Sequence, residues 1–190
     1  MKNMLPIALS NRHVHLSEEH IQKLFGEGYK LNRLKDLSQP GQYACEEKID
    51  IVGPKGTLKG VRILGPERKK SQVEISLADG FVLGVVPPVK DSGDLEGSPG
   101  AKFVGPKGEV IIEEGIIAAA RHIHMHTSDA DEFGVKDKDR VKVKVGGERG
   151  LVFDNVLVRV NKDYALEMHV DVEEGNAAGV KNGQMVELIK

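Results

Sequence analysis

The chain has 190 residues, a formal net charge of −2, one cysteine and no tryptophan. A chain of this length forms one large domain or two small ones, and the nearly balanced charge excludes a basic nucleic-acid-binding surface at the level of composition. The single cysteine excludes an intramolecular disulfide and fits a reducing cytoplasm. No apolar run is long enough to span a membrane, so no membrane partner is expected.

Short strands joined by tight turns dominate the predicted elements. Glycine occurs 22 times, often in pairs or beside proline, which favours short strands over long helices. In chain order, the apolar and alternating patterns predict strands at residues 5–9, 48–52, 58–64, 71–77, 81–86, 102–104, 109–112, 140–145, 151–160, 166–170 and 185–189. The strands at 71–77 and 81–86 are expected to form a hairpin that turns at Asp79 and Gly80. So many short strands favour two small barrels or sandwiches.

Short helices are predicted at three places. Ser17 is a suitable N-cap, and apolar residues at helical spacing follow it, which predicts a helix over residues 18–25. A second capped helix is expected over residues 127–133, and a further helical turn within residues 171–179. Residues 91–100 are an irregular loop.

Four of the seven histidines lie in two copies of one pattern, Arg12-His13-Val14-His15-Leu16 and Arg121-His122-Ile123-His124-Met125. In an extended strand, side chains two residues apart point to the same face, so each pair can offer two imidazoles to one metal ion. Neutral imidazole suits zinc, copper, iron or nickel, and a zinc ion needs ligands beyond two histidines. The alternative is an ordinary surface or packing pair, but the matching context of the two copies favours metal binding.

Glu74 and His169 are candidates for the remaining ligands. Glu74 lies on the polar face of the predicted strand 71–77, where the alternative is a solvated carboxylate. His169 faces away from its two apolar neighbours, and the alternative is a partly buried core histidine. His20 and His126 are expected at helix-face or capping positions and not as ligands.

Arg68 opens a basic run of three residues shortly before Glu74. A guanidinium can bind a phosphate through two parallel hydrogen bonds, although a solvated charge run is the usual reading of such a cluster. The two Gly-Pro-Lys-Gly turns, at residues 53–56 and 105–108, match no Walker-type pattern. Cys45 is expected to be a small buried strand residue, because no base can be assigned to it.

Four stretches of the sequence together resemble the phosphate propanoyltransferases, a family of phosphotransacylases. They are residues 10–17, residues 65–68 leading into 72–76, residues 91–98 and residues 120–125. The resemblance implies a mainly β fold of two small β-barrel domains with short capping helices and the active site between them. It also implies an interleaved chain, in which residues 1–11 and 120–190 form one barrel and residues 12–119 form the other.

Carried over position by position, the resemblance implies two zinc ions per chain. The first zinc ion takes His13, His15 and Glu74, and the second takes His122, His124 and His169. Arg68 matches the essential arginine that lies near the phosphate in this family. Coenzyme A enters as a substrate, and the residues that contact it are left open.

The reaction implied is the reversible transfer of an acetyl or propanoyl group between coenzyme A and inorganic phosphate. Direct transfer through a ternary complex is expected, because no residue is placed to form an acyl-enzyme. Two other classes stay open. A zinc-dependent hydrolase of a thioester or phosphoester would need only water, and a metal-binding or shell-associated module would turn over nothing.

The resemblance also bears on location and partners. Family members that enter microcompartments carry an N-terminal encapsulation helix, which is not seen here, so the chain is more similar to the free, cytoplasmic type. Acyl-CoA and phosphate are the expected partners. The oligomeric state is left open, with a homodimer as one option.

Overall fold

The structure is a computed structural model that describes residues 3–189 and is mainly β, with 43% strand and 16% helix. The predicted fold class is therefore confirmed. Met1, Lys2 and Lys190 belong to the predicted domain of residues 1–11 and 120–190 but lie outside the described residues. None of the helices within residues 3–189 has the length and apolar character needed to span a membrane.

The described part of the chain contains fifteen strands and four short helices. The strands are β1 (Met4–Ser10), β2 (His13–His15), β3 (Arg33–Asp36), β4 (Tyr43–Val52), β5 (Thr57–Gly65), β6 (Gln72–Glu74), β7 (Val89–Lys90), β8 (Ala101–Val104), β9 (Glu109–Ile112), β10 (Ile116–Ala119), β11 (His122–Met125), β12 (Arg140–Val145), β13 (Leu151–Val160), β14 (Glu167–Asp171) and β15 (Gln184–Ile189). The helices are α1 (Glu18–Phe25), α2 (Leu77–Leu83), α3 (Thr127–Phe133) and α4 (Val172–Ala178).

The chain divides into two compact units. The first comprises the described residues up to Asn11, the short segment Ser38–Pro40, and the described residues from Ala120 onward. The second comprises Arg12–Leu37 and Gly41–Ala119. Each unit has its own sheet and its own apolar core.

The sheet of the first unit is a closed six-stranded barrel in the order β1-β14-β11-β13-β12-β15. β1 closes it, because it pairs in parallel with β14 and antiparallel with β15. The alternating valines of β12 point inward while its basic residues are exposed, as expected for a strand with one buried face. Buried side chains such as Ile7, Ile123 and Phe133 fill the core. Closure leaves no unpaired strand edge.

The second unit contains a nine-stranded, half-barrel sheet. Its strand order is β7-β10-β6-β2-β5-β4-β8-β9, and β3 pairs separately with β4. The core beneath it includes Leu16, Ile51 and Phe103, none of which is exposed. β2 lies between β5 and β6 in this order, so the first histidine pair sits in the interior of the sheet.

The predicted hairpin over residues 71–86 is wrong beyond Glu74. β6 ends there, and the chain continues as helix α2 rather than as a second strand. Ser76 is the N-cap, its side chain accepts from the Asp79 N–H, and the Asp79 carboxylate accepts from the Ser76 N–H. This reciprocal capping box satisfies backbone N–H groups at the start of α2 and so stabilises the helix. The strand prediction rests on the alternating apolar residues alone, which give no sign of the capping box. The three predicted helices are confirmed as α1, α3 and α4.

The two Gly-Pro-Lys-Gly turns close the C-terminal ends of helices. The Lys55 N–H donates to the Leu83 carbonyl of α2 at 2.9 Å, and the Lys107 N–H donates to the Leu24 carbonyl of α1 at 3.0 Å. A Cβ atom at Gly53 would lie 2.4 Å from the Leu83 oxygen, so this close approach requires glycine. The repeated turn therefore has a structural role in holding the helices that follow β2 and β6.

Candidate metal centres

The first histidine pair meets Glu74 because β2 and β6 are antiparallel neighbours. His13 is directly opposite Glu74 in the ladder, and His15 is opposite Gln72. His13, His15 and Glu74 are all buried, and their potential ligand atoms lie within 4.8 Å of one another. The His13 Nε2 is 3.5 Å from the Glu74 Oε2. The structure thus assembles one of the two predicted ligand sets within the second unit.

A backbone carbonyl fixes which nitrogen of His15 carries its proton. The His15 Nδ1 lies 3.1 Å from the Leu64 oxygen, and a carbonyl can only accept, so Nδ1 donates and Nε2 keeps its lone pair. Burial, followed by electrostatic repulsion from His13 and Arg68, lowers the pKa of His15 to about 3. The imidazole is therefore neutral at pH 7, which is the form that binds metal ions.

The Glu74 carboxylate uses its two oxygens differently. Its Oε1 accepts hydrogen bonds from the Gln72 Nε2 at 2.6 Å and from the Ser92 Oγ at 2.7 Å, while Oε2 faces His13. Burial alone would raise the pKa of Glu74, but His13, His15 and the Ser92 hydrogen bond together lower it below its usual range. Glu74 is therefore an anion that can present Oε2 to a cation.

Arg68 belongs to the same network. Its Nη1 donates to the Ser92 Oγ at 3.0 Å, and the Gln72 Nε2 donates to the same oxygen at 2.9 Å. The Gly93 N–H donates to the Gln72 Oε1 at 2.8 Å, which ties the loop over residues 91–98 to β6. Gln72 and Ser92 were not predicted as site residues. The signal for Gln72 was present, since it shares the polar strand face with Glu74.

The second cluster lies in the first unit and repeats the geometry of the first. β11 and β14 are antiparallel neighbours, and His122 is directly opposite His169. The potential ligand atoms of His122, His124 and His169 again lie within 4.8 Å of one another. The Nε2 atoms of His122 and His124 are only 3.0 Å apart. The second predicted ligand set is thus also brought together.

The hydrogen bonding of the second cluster leaves ring nitrogens that could bind a cation. The His122 Nδ1 lies 2.8 Å from the Ala120 carbonyl oxygen and must donate to it, which leaves Nε2 with its lone pair. Burial, and then electrostatic repulsion from His122 and His169, lower the pKa of His124 to about 2. The His124 Nδ1 is the one buried side-chain nitrogen or oxygen within residues 3–189 that has no hydrogen-bond partner. The potential ligand nitrogens of the three imidazoles converge, and this donor set fits zinc.

Other side chains orient the second cluster. The His169 Nε2 donates to the Glu167 Oε2 at 2.7 Å, a carboxylate–imidazole pair that commonly supports a metal-bound histidine. Tyr164 packs edge-on against His124 with ring centroids 4.5 Å apart, and its hydroxyl accepts from Arg159 at 3.2 Å. Glu167, Tyr164 and Arg159 were not predicted, since nothing in the sequence shows which residues lie beside the pair.

The remaining histidines and the cysteine are found where the sequence predicts. His20 lies on α1 and contacts Ser71, and His126 is the N-cap of α3. Cys45 is buried in β4, and burial raises the pKa of its thiol to about 11. Cys45 is therefore protonated at neutral pH and is a poor nucleophile.

Comparison with known proteins places the chain in a family. The family model for phosphate propanoyltransferase matches residues 6–181. The chain is 58% identical to the phosphate propanoyltransferase of Thermotoga maritima over 97% of its length and 88% of that protein. It is 52% identical to that of Clostridioides difficile, with 98% and 89% covered, and 50% identical to that of Listeria monocytogenes, with 97% and 86% covered.

These matches define an acyltransferase. The chain belongs to the phosphate propanoyltransferase family, so the resemblance read from the four sequence stretches is confirmed.

Proposed function

We propose that this chain catalyses the reversible transfer of a short acyl group, acetyl or propanoyl, between coenzyme A and inorganic phosphate. Membership of the family supports acyl transfer between these two partners. A phosphate oxygen bonds to the thioester carbonyl carbon, the carbon–sulfur bond breaks, and the proton of hydrogen phosphate ends on the coenzyme A sulfur. The observation that carries the proposal is the pair of three-ligand clusters, one of which includes an arginine in its hydrogen-bond network.

Two zinc ions are proposed as resident cofactors. His13, His15 and Glu74 would hold one ion, and His122, His124 and His169 would hold the other. Three protein ligands leave a zinc coordination position for substrate. A bound zinc ion supplies Lewis-acid polarisation of a carbonyl and stabilises a thiolate leaving group.

Arg68 is proposed to bind and orient the phosphate. Its guanidinium is planar and permanently charged, and it matches the geometry of phosphate oxygens through parallel hydrogen bonds. The Ser92 hydroxyl accepts from Arg68 and donates to Glu74, so the arginine is fixed beside the first ligand set. The contribution of Arg68 is therefore positioning of the nucleophile together with stabilisation of developing negative charge.

Direct transfer is proposed in preference to an acyl-enzyme. Cys45 is buried and its pKa is raised to about 11, so it holds no thiolate at neutral pH. The Ser92 hydroxyl is engaged by Glu74, Arg68 and Gln72, which leaves it poorly suited to attack a thioester. Initial-rate kinetics should therefore show a ternary complex, and mass spectrometry should find no acylated protein. Ping-pong kinetics would contradict direct transfer.

The test is coenzyme A release from acetyl-CoA and propanoyl-CoA, measured with and without phosphate. The proposed reaction requires phosphate and yields acyl phosphate, which hydroxylamine traps as a coloured hydroxamate. A hydrolase would release coenzyme A without phosphate, and a metal-binding module would release none. Either of those results would overturn the proposal.

A cytoplasmic location is also proposed. One buried cysteine fits a reducing compartment, where thiols stay reduced. Fractionation of cells that express a tagged chain tests this location directly. Recovery of the chain in the membrane or secreted fraction would contradict it.

A further inference from the structure

We propose that Arg12 and Arg121, which open the two Arg-His-x-His segments, are positioning residues that fix the register of each histidine pair against its third ligand through an ion pair to the following helix. The inference rests on the two proposed metal sites. It assigns the arginines a role in building the ligand sets and not in contacting substrate.

The two ligand sets are built by the same arrangement of three strands. β2 pairs in parallel with β5 and antiparallel with β6, and β11 pairs in parallel with β13 and antiparallel with β14. In each unit, the first histidine of the pair is directly opposite the third ligand. A slip of one residue in either ladder would turn that ligand to the other face of the sheet. The register of this ladder therefore decides whether three ligand atoms meet.

Neither ladder is long enough to fix its register securely by backbone pairing alone. The β2–β6 ladder has three paired positions, and the β11–β14 ladder also has three. Each short ladder is followed by a helix that starts three residues after the third ligand, α2 after Glu74 and α4 after His169. A contact between the first strand and that helix would hold the two ligand-bearing segments in place.

Arg12 makes this contact in the second unit. Its Nη1 lies 2.9 Å from the Asp79 Oδ1, and the Asp79 side chain is only 9% exposed. Asp79 is the acidic member of the capping box of α2 and stands five residues after Glu74. Arg12 is the residue before His13, so one ion pair links the two ends of the ligand set.

Arg121 makes the equivalent contact in the first unit. Its Nη1 lies 2.6 Å from the Glu174 Oε1, and Glu174 is the acidic member of the capping box of α4. Glu174 stands five residues after His169, and Arg121 is the residue before His122. The same three roles thus recur at the same spacing in a separate sheet, which an accidental surface ion pair would not explain.

Loss of either arginine should affect zinc binding much more than it affects the stability of the fold. Both arginines are partly exposed, and each carboxylate keeps its capping-box hydrogen bond when its arginine is removed, so either substitution should leave the fold intact. Loss of an outer partner that orients ligands typically weakens metal binding by 10- to 100-fold. We therefore expect Arg12→Gln to accelerate about 10-fold the release of the zinc ion held by the set that includes Glu74, and to leave release from the other set unchanged. Arg121→Gln should accelerate release from the set that includes His169 and leave the first set unchanged.

The experiment loads the full chain with zinc and follows release to a chromophoric chelator. The His15→Ala and His124→Ala backgrounds, each with one remaining site, assign the affected ion. The Arg12→Gln effect should persist in the His124→Ala background, where the first site is intact, and the Arg121→Gln effect should persist in the His15→Ala background. Arg33→Gln is the control, because the Arg33 side chain is about as exposed as that of Arg12 but pairs with an exposed carboxylate, Asp36, that belongs to neither ligand set nor capping box.

Two further measurements separate positioning from other roles. If Arg12 acts through Asp79, the double variant Arg12→Gln/Asp79→Asn should release zinc no faster than the worse single variant, and Arg12→Lys should recover most of the wild-type rate. In the metal-free chain, amide hydrogen exchange should accelerate in β2 and β6 for Arg12→Gln, and in β11 and β14 for Arg121→Gln.

Several results would overturn the inference. These are equal effects on both zinc ions, additive effects in the double variant, unchanged exchange in the paired strands, or a raised KM for phosphate with zinc binding intact. If the wild-type chain binds no zinc, the proposed metal sites fail, while the exchange measurement still decides whether Arg12 and Arg121 hold their ladders.

Discussion

His13 faces Glu74 directly across an antiparallel ladder, with its Nε2 3.5 Å from the Glu74 Oε2. The other carboxylate oxygen is bound by Gln72 and Ser92, so one side of Glu74 belongs to the scaffold and the other to the ligand set. Substitutions in and around this site should therefore affect activity, zinc binding and the free energy of unfolding differently, and each of these can be measured.

Replacing Arg68 should abolish most activity without removing metal. Arg68→Ala deletes the proposed phosphate-binding guanidinium, and we expect a fall in kcat of about 10²- to 10³-fold. Metal analysis should still give two zinc ions per chain. Lys69→Ala, next to Arg68 and exposed, is the control and should behave as wild type. A fall of less than about threefold in Arg68→Ala would remove Arg68 from the chemistry.

Gln72 should be needed for zinc affinity at the first set. Its amide nitrogen donates to Glu74 and its amide oxygen accepts from the Gly93 N–H, all in a side chain that is almost fully buried. Gln72→Leu removes these hydrogen bonds, and we expect zinc binding at this set to weaken by about 10- to 100-fold. Competition with a chelator measures the change, and circular dichroism checks that the variant folds. Unchanged affinity at this set would show that Glu74 is positioned without Gln72.

The Cys45 thiol should make the free energy of unfolding fall as the pH rises into the alkaline range. Burial raises its pKa in the folded chain to about 11 from an ordinary value of 9.0. The folded state therefore favours the protonated thiol, and this contribution is complete below pH 9 and is lost as the pH rises through about 11. We expect the free energy of unfolding to fall more steeply over this window in wild type than in Cys45→Ala. Parallel pH profiles for the two proteins would contradict this assignment.

The close contact at Gly53 should make even a methyl group destabilising. A Cβ there would lie 2.4 Å from the Leu83 carbonyl oxygen, whereas a Cβ at Gly146 would meet no atom within 4 Å. We expect Gly53→Ala to lower the free energy of unfolding by about 1–3 kcal/mol and Gly146→Ala to leave it nearly unchanged. Denaturant unfolding of the two variants tests the pair, and equal stabilities would show that the turn can move away from α2.

The candidate ligands could be named from the sequence because their signal is local. A His-x-His pair in a strand places both rings on one face, and two copies in matching contexts made the pattern specific. Glu74 and His169 could be proposed as candidates, but their pairing with His13 and His122 is a long-range register that no local pattern contains.

Other features depended on contacts that sequence reasoning does not reach. The carbonyl groups of Leu64 and Ala120 select the imidazole tautomers, and any residue could supply them. Helix α2 was missed because the alternating apolar residues before it predict a strand, and this signal outweighed the capping-box residues Ser76 and Asp79, which indicate a helix start. The ion pairs of Arg12 and Arg121 became visible only once both helices were located.

The most direct test of the two-metal proposal is a zinc titration of the metal-free chain, with phosphate-dependent coenzyme A release as the signal. We expect no activity after chelation, recovery on adding zinc, and saturation at two equivalents per chain. His15→Ala and His124→Ala should each bind one equivalent and stay inactive. Full activity of the chelated wild-type chain, or saturation with no zinc bound, would contradict the proposal.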